Sequence, residues 1–242
     1  MQQGTQPSVN LVPAIKAVLA NADRLSEEAK DLGEYGRTQT AFFLSVLARE
    51  EFAKAFLLIL AQEERLPWTT RFQNALRNHR CKQLVSHILC ELSAIDLFEP
   101  EHLAKWPRRV RELPRPVIDA FHILVHEHLG ELEREDWWYK DEDSPIDPTV
   151  HEIGAGGVER RKQDLLYVRI GCNGTPRNDP VKPIAQSEWE REFKRLELMK
   201  DSFWVSEGKL SGSPMAQYPL ISALTRVLAG LLSPEEFDRE WA

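Results

Sequence analysis

The chain has 242 residues, of which 42% are hydrophobic and 29% are charged, and its formal net charge is −7. This composition is that of a globular protein with enough apolar residues for a sizeable core, and it disfavours extensive disorder. The acidic balance disfavours binding of nucleic acid by bulk attraction, so any contact with nucleic acid has to be local.

The first half of the chain predicts an antiparallel bundle of four helices. Apolar residues recur there at three- and four-residue steps, with charged residues on the other faces. Gly33 ends the first helix, Thr38 is a candidate N-cap of the second, and Pro67 follows the second. The predicted helices cover residues 10–32, 38–65, 70–97 and 117–133.

The composition changes after residue 138. Glycine and proline residues concentrate at 141–183 and surround one predicted strand at 165–170, so we expect a looped insert with a short strand or hairpin. Ser187 is predicted to cap a further helix, and two more helices follow from residue 218. The sequence therefore predicts a single all-α domain over 1–242. Its parts are a four-helix core at 8–138, a loop-rich insert with a short strand at 139–186 and C-terminal helices at 187–242.

The second predicted helix is apolar on nearly every side over 41–61 but carries Arg49, Glu50, Glu51 and Lys54 at its centre. Such a helix belongs in the middle of a bundle, where an ionised group must be paired or must line a cavity. One interpretation is a structural ion pair of Glu50 with Lys54, with Arg49 and Glu51 at the rim. The other is a polar pocket built for chemistry.

The third predicted helix carries a group of basic and imidazole side chains: Arg77, His79, Arg80, Lys82 and His87. Helical geometry places Arg80 and His87 on nearly the same face. It places His79 and Lys82 one turn apart on an adjoining face. Such a set suits RNA cleavage without a metal, in which a histidine accepts the ribose 2′-hydroxyl proton and Arg or Lys stabilises the charge on phosphorus. A solvated basic face packed beside the acidic residues of the second helix is the structural alternative.

Three segments carry a resemblance to a known family. They are ANADRLSEEAKDL in the first helix, AREEFAK at 48–54, and the pattern F-x-x-x-x-R-x-H-x-x-K that begins at Phe72. LLYVRI, with the loop and acidic amphipathic helix after it, adds a fourth similarity. Together these segments resemble the AbiV family of phage abortive-infection proteins, a branch of the HEPN superfamily of helical bundles, over roughly residues 8–205.

The resemblance implies a HEPN-like antiparallel bundle and a role in antiphage defence. HEPN ribonucleases carry an arginine, four to six intervening residues and a histidine, and Arg80 to His87 fits this pattern at its long limit. The resemblance also points to His79 and Lys82. It implies a homodimer whose facing helices pair two motifs in one cleft, with Glu50 or Glu51 orienting the arginine or the histidine.

We therefore predict a toxin-like, metal-independent endoribonuclease that cleaves RNA to arrest growth or translation, with a phage protein as its trigger. The candidate catalytic residues are His79, Arg80, Lys82 and His87, and the supporting residues are Arg77, Glu50, Glu51 and Lys54. The alternative is a non-catalytic HEPN module that binds a phage or host protein, a ribosomal component or a nucleotide. The insert and the aromatic group at 137–139 would then form its recognition surface.

Other chemistries have little support. His122 and His126 have the spacing of zinc ligands on a helix, but no HExxH follows, and phosphate-loop, dinucleotide and serine-hydrolase motifs are absent from the sequence. We predict neither a metal nor a cofactor. The three cysteines form no metal-binding or disulfide pattern, which fits the reducing cytoplasm. We also expect no secretion signal and no membrane span.

Overall fold

The computed structural model describes residues 10–62, 66, 68–94, 115–124, 146–168, 170, 172, 175–176 and 184–204. Eight α-helices lie in these ranges. They are α1 Val12–Glu34, α2 Thr38–Gln62, α3 Thr70–Arg77, α4 His79–Ala94, α5 Arg115–Leu124, α6 Pro148–Gly154, α7 Gly157–Asp164 and α8 Gln186–Trp204. The described residues contain no strand, so the all-α prediction is confirmed.

Helices α1 and α2 form an antiparallel pair. The connection between them is short, and Gly36 adopts a φ of 74° that suits the chain reversal. The apolar stripe of α1, which includes Ile15, Ala22 and Ala29, is buried. The amphipathic pattern therefore places one face of α1 against α2, as the sequence predicted.

Helix α2 is the centre of the bundle. It is buried on almost every side because it packs against α1, α4 and α8. Thr38 does not cap this helix as predicted, because it is already helical and its hydroxyl donates a hydrogen bond to the carbonyl oxygen of Ile184 at 2.8 Å. This bond ties the start of α2 to the segment that enters α8.

The predicted third helix is broken into α3 and α4, so the prediction of one helix over 70–97 was wrong. Asn78 is extended, with φ −80° and ψ 120°, and its Oδ1 accepts a hydrogen bond from the backbone N–H of Cys81 at 3.2 Å. This is the geometry of an asparagine that caps a new helix. His79 is consequently the first residue of α4.

The predicted loop-rich insert contains α6 and α7, and the predicted strand at 165–170 was wrong. Asp147 caps α6, since its Oδ1 accepts hydrogen bonds from the backbone N–H groups of Thr149 and Val150 at 2.9 and 3.1 Å. Gly156, with a φ of 74°, separates α6 from α7. Residues 165–168 form a turn and irregular chain, and only an isolated antiparallel bridge joins Ile170 to Pro176.

Several predicted features lie outside the described residues. They are the third helix after residue 94, the fourth helix after residue 124, the aromatic group at 137–139 and the helices after residue 204. Among the helices that are described, none combines the length and the apolar character needed to cross a bilayer.

Candidate functional site

The site is built around the carboxylate of Glu50, which lies in the middle of α2 with 1% of its side chain exposed. His79 Nδ1 lies 2.5 Å from its Oε2, and Lys82 Nζ lies 3.5 Å from the same oxygen. Lys162 Nζ and Gln83 Nε2 donate hydrogen bonds to its Oε1 at 2.9 and 2.8 Å. The charge in the bundle centre is thus paired by residues from α4 and α7, as burial of an ionised group requires.

These partners keep Glu50 ionised. Burial on its own would raise the pKa of the carboxyl group. The hydrogen bond from His79 and the charges of Lys162 and Lys82 outweigh burial and lower the pKa from 4.5 to about 2. Glu50 is therefore a carboxylate at neutral pH and can only accept hydrogen bonds.

The ring of His79 is oriented by this carboxylate. Its Nδ1 is 2.5 Å from Oε2 of Glu50, and an ionised carboxylate can only accept a hydrogen bond. The ammonium group of Lys162 lies 3.1 Å from the same Nδ1 and can only donate, so it is in contact with a protonated Nδ1 without a hydrogen bond to it. Since Glu50 is ionised, Nδ1 carries the hydrogen and donates it to Glu50, and in the neutral form of the ring Nε2 is then the acceptor. The side chain is 46% exposed although its Nδ1 is held in the cluster. An imidazole held in this way can accept a proton from a molecule in solvent.

Lys162 was not among the predicted site residues. It lies on α7 with 5% of its side chain exposed, and its Nζ is 2.9 Å from Glu50 and 2.5 Å from Oε2 of Glu159. The one local signal in the sequence is the three-residue spacing from Glu159 to Lys162 on a helix. That signal could not reveal contact with α2.

The predicted arginine-to-histidine pair occupies two different surroundings. Arg80 is partly exposed and donates a hydrogen bond to the carbonyl oxygen of Gly154 at 3.0 Å. His87 is buried, its Nδ1 lies 4.0 Å from Oε1 of Glu91, and its Nε2 has no hydrogen-bond partner. Burial, followed by the charges of Arg49 and Arg195, lowers the pKa of His87 from 6.5 to about 4, so the ring is neutral near pH 7.

The other charged residues of α2 are paired differently from the prediction. Lys54 Nζ lies 3.5 Å from Oε2 of Glu51, so the predicted ion pair of Lys54 with Glu50 was wrong. Arg49 is buried rather than at the rim, and its Nε lies 2.7 Å from Oε1 of Glu192 on α8. The predicted supporting residue Arg77 is exposed at the end of α3, two positions before His79.

Three side chains at the site are of types that bind metal ions. The ligand atoms of Glu50, His79 and Glu159 all lie within 4.8 Å of one another. The ammonium group of Lys162 contacts all three, at 2.9, 3.1 and 2.5 Å respectively. A lysine side chain therefore supplies the positive charge that a metal ion would otherwise bring to these atoms.

The fold and the site define a helical-bundle protein in which a central helix and its neighbour hold a carboxylate against an imidazole. The family model HEPN_AbiV, described as AbiV, matches residues 10–203, a range that includes all of the site residues above. The chain belongs to the AbiV family, a family of abortive-infection proteins of the HEPN type, and the predicted resemblance is confirmed. Comparison with curated proteins and with solved structures gave no match.

Proposed function

We propose that this chain acts in antiphage defence as a metal-independent endoribonuclease, with His79 as its general base. One observation carries the proposal. Nδ1 of His79 lies 2.5 Å from the buried carboxylate of Glu50, while 46% of the histidine side chain is exposed. A buried carboxylate that holds Nδ1–H fixes the tautomer of an imidazole and stabilises the imidazolium that forms during proton transfer.

The proposed reaction is intramolecular cleavage of RNA. Nε2 of His79 takes the proton of a ribose 2′-hydroxyl group, and the 2′ oxygen forms a bond to the adjacent phosphorus. The bond from phosphorus to the 5′ oxygen breaks, and an acid protonates the leaving oxygen. The products are a 2′,3′-cyclic phosphate and a 5′-hydroxyl end, and no metal or water molecule is consumed in this step.

The acid is proposed to come from a second copy of the chain. In the described part of the chain, His79 is the one imidazole of this cluster. A homodimer that brings two copies of α4 to one cleft would provide two such rings, one as base and one as acid. Arg80 and Arg77, which lie within two positions of His79, would stabilise the charge on phosphorus. Lys82 is 8% exposed and contacts Glu50, so we assign it to balancing that carboxylate.

Incubation of the full-length protein with total RNA in the presence of a chelator tests the proposal. We expect fragments that end in 2′,3′-cyclic phosphate, and a rate loss of about 10²–10⁴-fold for His79→Ala. His151→Ala is the matched control, because His151 is an exposed histidine on α6. Cleavage by His79→Ala at the wild-type rate would overturn the assignment. If a folded His87→Ala protein loses cleavage while His79→Ala remains active, the catalytic residues are Arg80 and His87 instead of His79.

The same variants test the role in defence. Expression of the wild-type chain should arrest growth, and His79→Ala should relieve the arrest at an equal protein level. Chromatographic mass of the purified protein tests the homodimer. If the protein is a monomer and its rate of RNA cleavage per protein molecule does not change on dilution, the two-copy mechanism is excluded.

The second candidate function is a non-catalytic module that binds a phage or host protein, a ribosomal component or a nucleotide. It is favoured by large apolar side chains after α7: Leu166, Tyr167, Val168 and Ile170 are 42%, 63%, 51% and 62% exposed. If binding alone produces the effect, Tyr167→Ser with Val168→Ser should abolish growth arrest while His79→Ala should not. The nuclease proposal instead predicts that His79→Ala abolishes growth arrest.

A further inference from the structure

The ammonium group of Lys162 is enclosed by other side chains. Its side chain is 5% exposed, and its Nζ contacts Oε1 of Glu50, Oε2 of Glu159 and Nδ1 of His79 at 2.9, 2.5 and 3.1 Å. Full burial of a lysine is rare unless the charge is paired, because removal of an ammonium group from water is costly. The contacts of this side chain converge on the proposed general base.

The position of Lys162 is secured from two sides. Gln83 on α4 donates hydrogen bonds to Glu50 and, at 3.4 Å, to Oε2 of Glu159 on α7. Arg80 on α4 donates to the carbonyl oxygen of Gly154, at the end of α6 and three residues before α7 begins. These bonds hold the part of the insert that carries Lys162, helices α6 and α7, against α4.

In the described part of the chain, four charged side chains form the cluster that Nδ1 of His79 joins, and one of them, Lys82, belongs to it through its contact with Glu50. Glu50 comes from α2, Lys82 from α4, and Glu159 and Lys162 from α7. Two carboxylates and two ammonium groups give these surroundings no net charge. Without Lys162 the same surroundings would carry a charge of −1, which favours the protonated form of a nearby imidazole.

We infer that Lys162 is a positioning residue for His79, an inference that rests on the proposed function of this ring as a base. Its ammonium group fixes the Glu50 carboxylate against Nδ1 and balances the carboxylates beside the ring. In the copy of the chain that supplies the base, this arrangement keeps Nε2 of His79 available as a proton acceptor. A protonated ring would carry a hydrogen on Nε2 and could not accept the proton of a 2′-hydroxyl group.

Three variants of the full-length protein test this role through the pH dependence of RNA cleavage in chelator. Lys162→Met removes a positive charge, so the acidic limb of the rate profile should move to higher pH, with a roughly tenfold loss at neutral pH that recovers in alkali. Glu159→Gln removes a negative charge and should move the limb to lower pH. The double variant restores the charge balance and should return the limb close to its wild-type position. Lys16→Met, a change at an exposed lysine of α1, should leave the profile unchanged.

A merely structural role for Lys162 would lower the rate without moving the limb, and that result would overturn the inference. If Lys162→Met does not fold, two results test the inference in its place. They are the shift of the acidic limb to lower pH in Glu159→Gln and the return of that limb in the double variant. Equal profiles for wild type, Glu159→Gln and the double variant would count against it.

The ring nitrogen signals of His79 in nuclear magnetic resonance spectra separate this inference from the proposed function. We expect Lys162→Met to show a ring protonated on both nitrogens at a pH where the wild-type ring is not. If the wild-type protein cleaves no RNA but this change is seen, the nuclease proposal fails and the effect of Lys162 on His79 stands. If His79→Ala abolishes cleavage while Lys162→Met leaves the ring signals unchanged, the inference about Lys162 fails alone.

Discussion

Arg49 on the central helix and Glu192 on α8 form a buried ion pair. The Nε atom of Arg49 lies 2.7 Å from Oε1 of Glu192, and the two side chains are 9% and 6% exposed. The Nε–H bond is not aligned with that oxygen, so the pair depends on charge more than on a directed hydrogen bond. Removal of one partner would leave an uncompensated charge inside the bundle.

We expect Glu192→Gln to lower the free energy of unfolding by about 3–5 kcal/mol, because the guanidinium group of Arg49 then loses the buried carboxylate that it pairs with. Replacement of both partners by apolar residues, Arg49→Met with Glu192→Leu, should cost much less. Urea denaturation of the single and double variants measures the difference. Arg24→Gln is the control, since the exposed pair of Arg24 with Glu28 should contribute about 1 kcal/mol or less. Equal losses for Glu192→Gln and this control would contradict the expectation.

His87 should make the fold sensitive to acid. Its pKa is lowered from 6.5 to about 4, so the unfolded chain binds a proton in this range that the folded protein does not. Stability should therefore decrease as the pH falls from 6.5 to 4, by about 3 kcal/mol from this residue. His87→Leu removes the contribution, and the difference in unfolding free energy between pH 7 and pH 4 should become smaller. Urea titrations at both pH values test this; an unchanged difference would show that another group carries the acid sensitivity.

Removal of the Lys162 ammonium group should create a metal site. In Lys162→Ala the ligand atoms of Glu50, His79 and Glu159 lose the cation that they share. Zn²⁺ or Mn²⁺ should then bind and raise the melting temperature. At a metal concentration 100 times the dissociation constant, binding should add about 2.7 kcal/mol to the free energy of unfolding. Calorimetric titration of wild type, Lys162→Ala and Lys162→Ala with His79→Ala checks this. The result would be refuted by binding of equal strength to all three.

Gly33 allows α1 and α8 to approach closely. A Cβ atom at this position would overlap the indole ring of Trp189, which is buried. Gly33→Ala should therefore destabilise the protein by about 1–3 kcal/mol, although alanine is the better helix former. Trp189→Leu should remove most of that penalty when the two changes are combined. If Gly33→Ala is as stable as the wild type in thermal unfolding, the close approach of the two helices is wrong.

The fold was predictable where periodicity is local. The apolar steps of α1 and the nearly uniform burial of α2 follow directly from the spacing of their residues. The same rule failed at Asn78, because the apolar positions continue in phase across the break from Leu76 to Leu84. Only the capping tendency of asparagine marked the restart, and it is a weaker signal than the periodicity.

The site was predictable in part. Charges at the centre of an apolar helix required partners, and the group that includes His79 and Lys82 supplied two of them. Lys162 could not be identified because it is 112 positions from Glu50 and lies in a segment whose glycine and proline content is typical of loops. Asp147 followed by Pro148 did carry a helix-start signal that the prediction of a loop did not use.

The restart of the chain at Asn78 separates the geometry of α3 from that of α4. In one continuous helix, each residue inserted ahead of His79 would rotate the ring by about 100° relative to the preceding turns. Because α4 begins anew after the asparagine, the direction of the imidazole is set downstream of the break. A change in the length of α3 is therefore compatible with the same contact of the ring with Glu50.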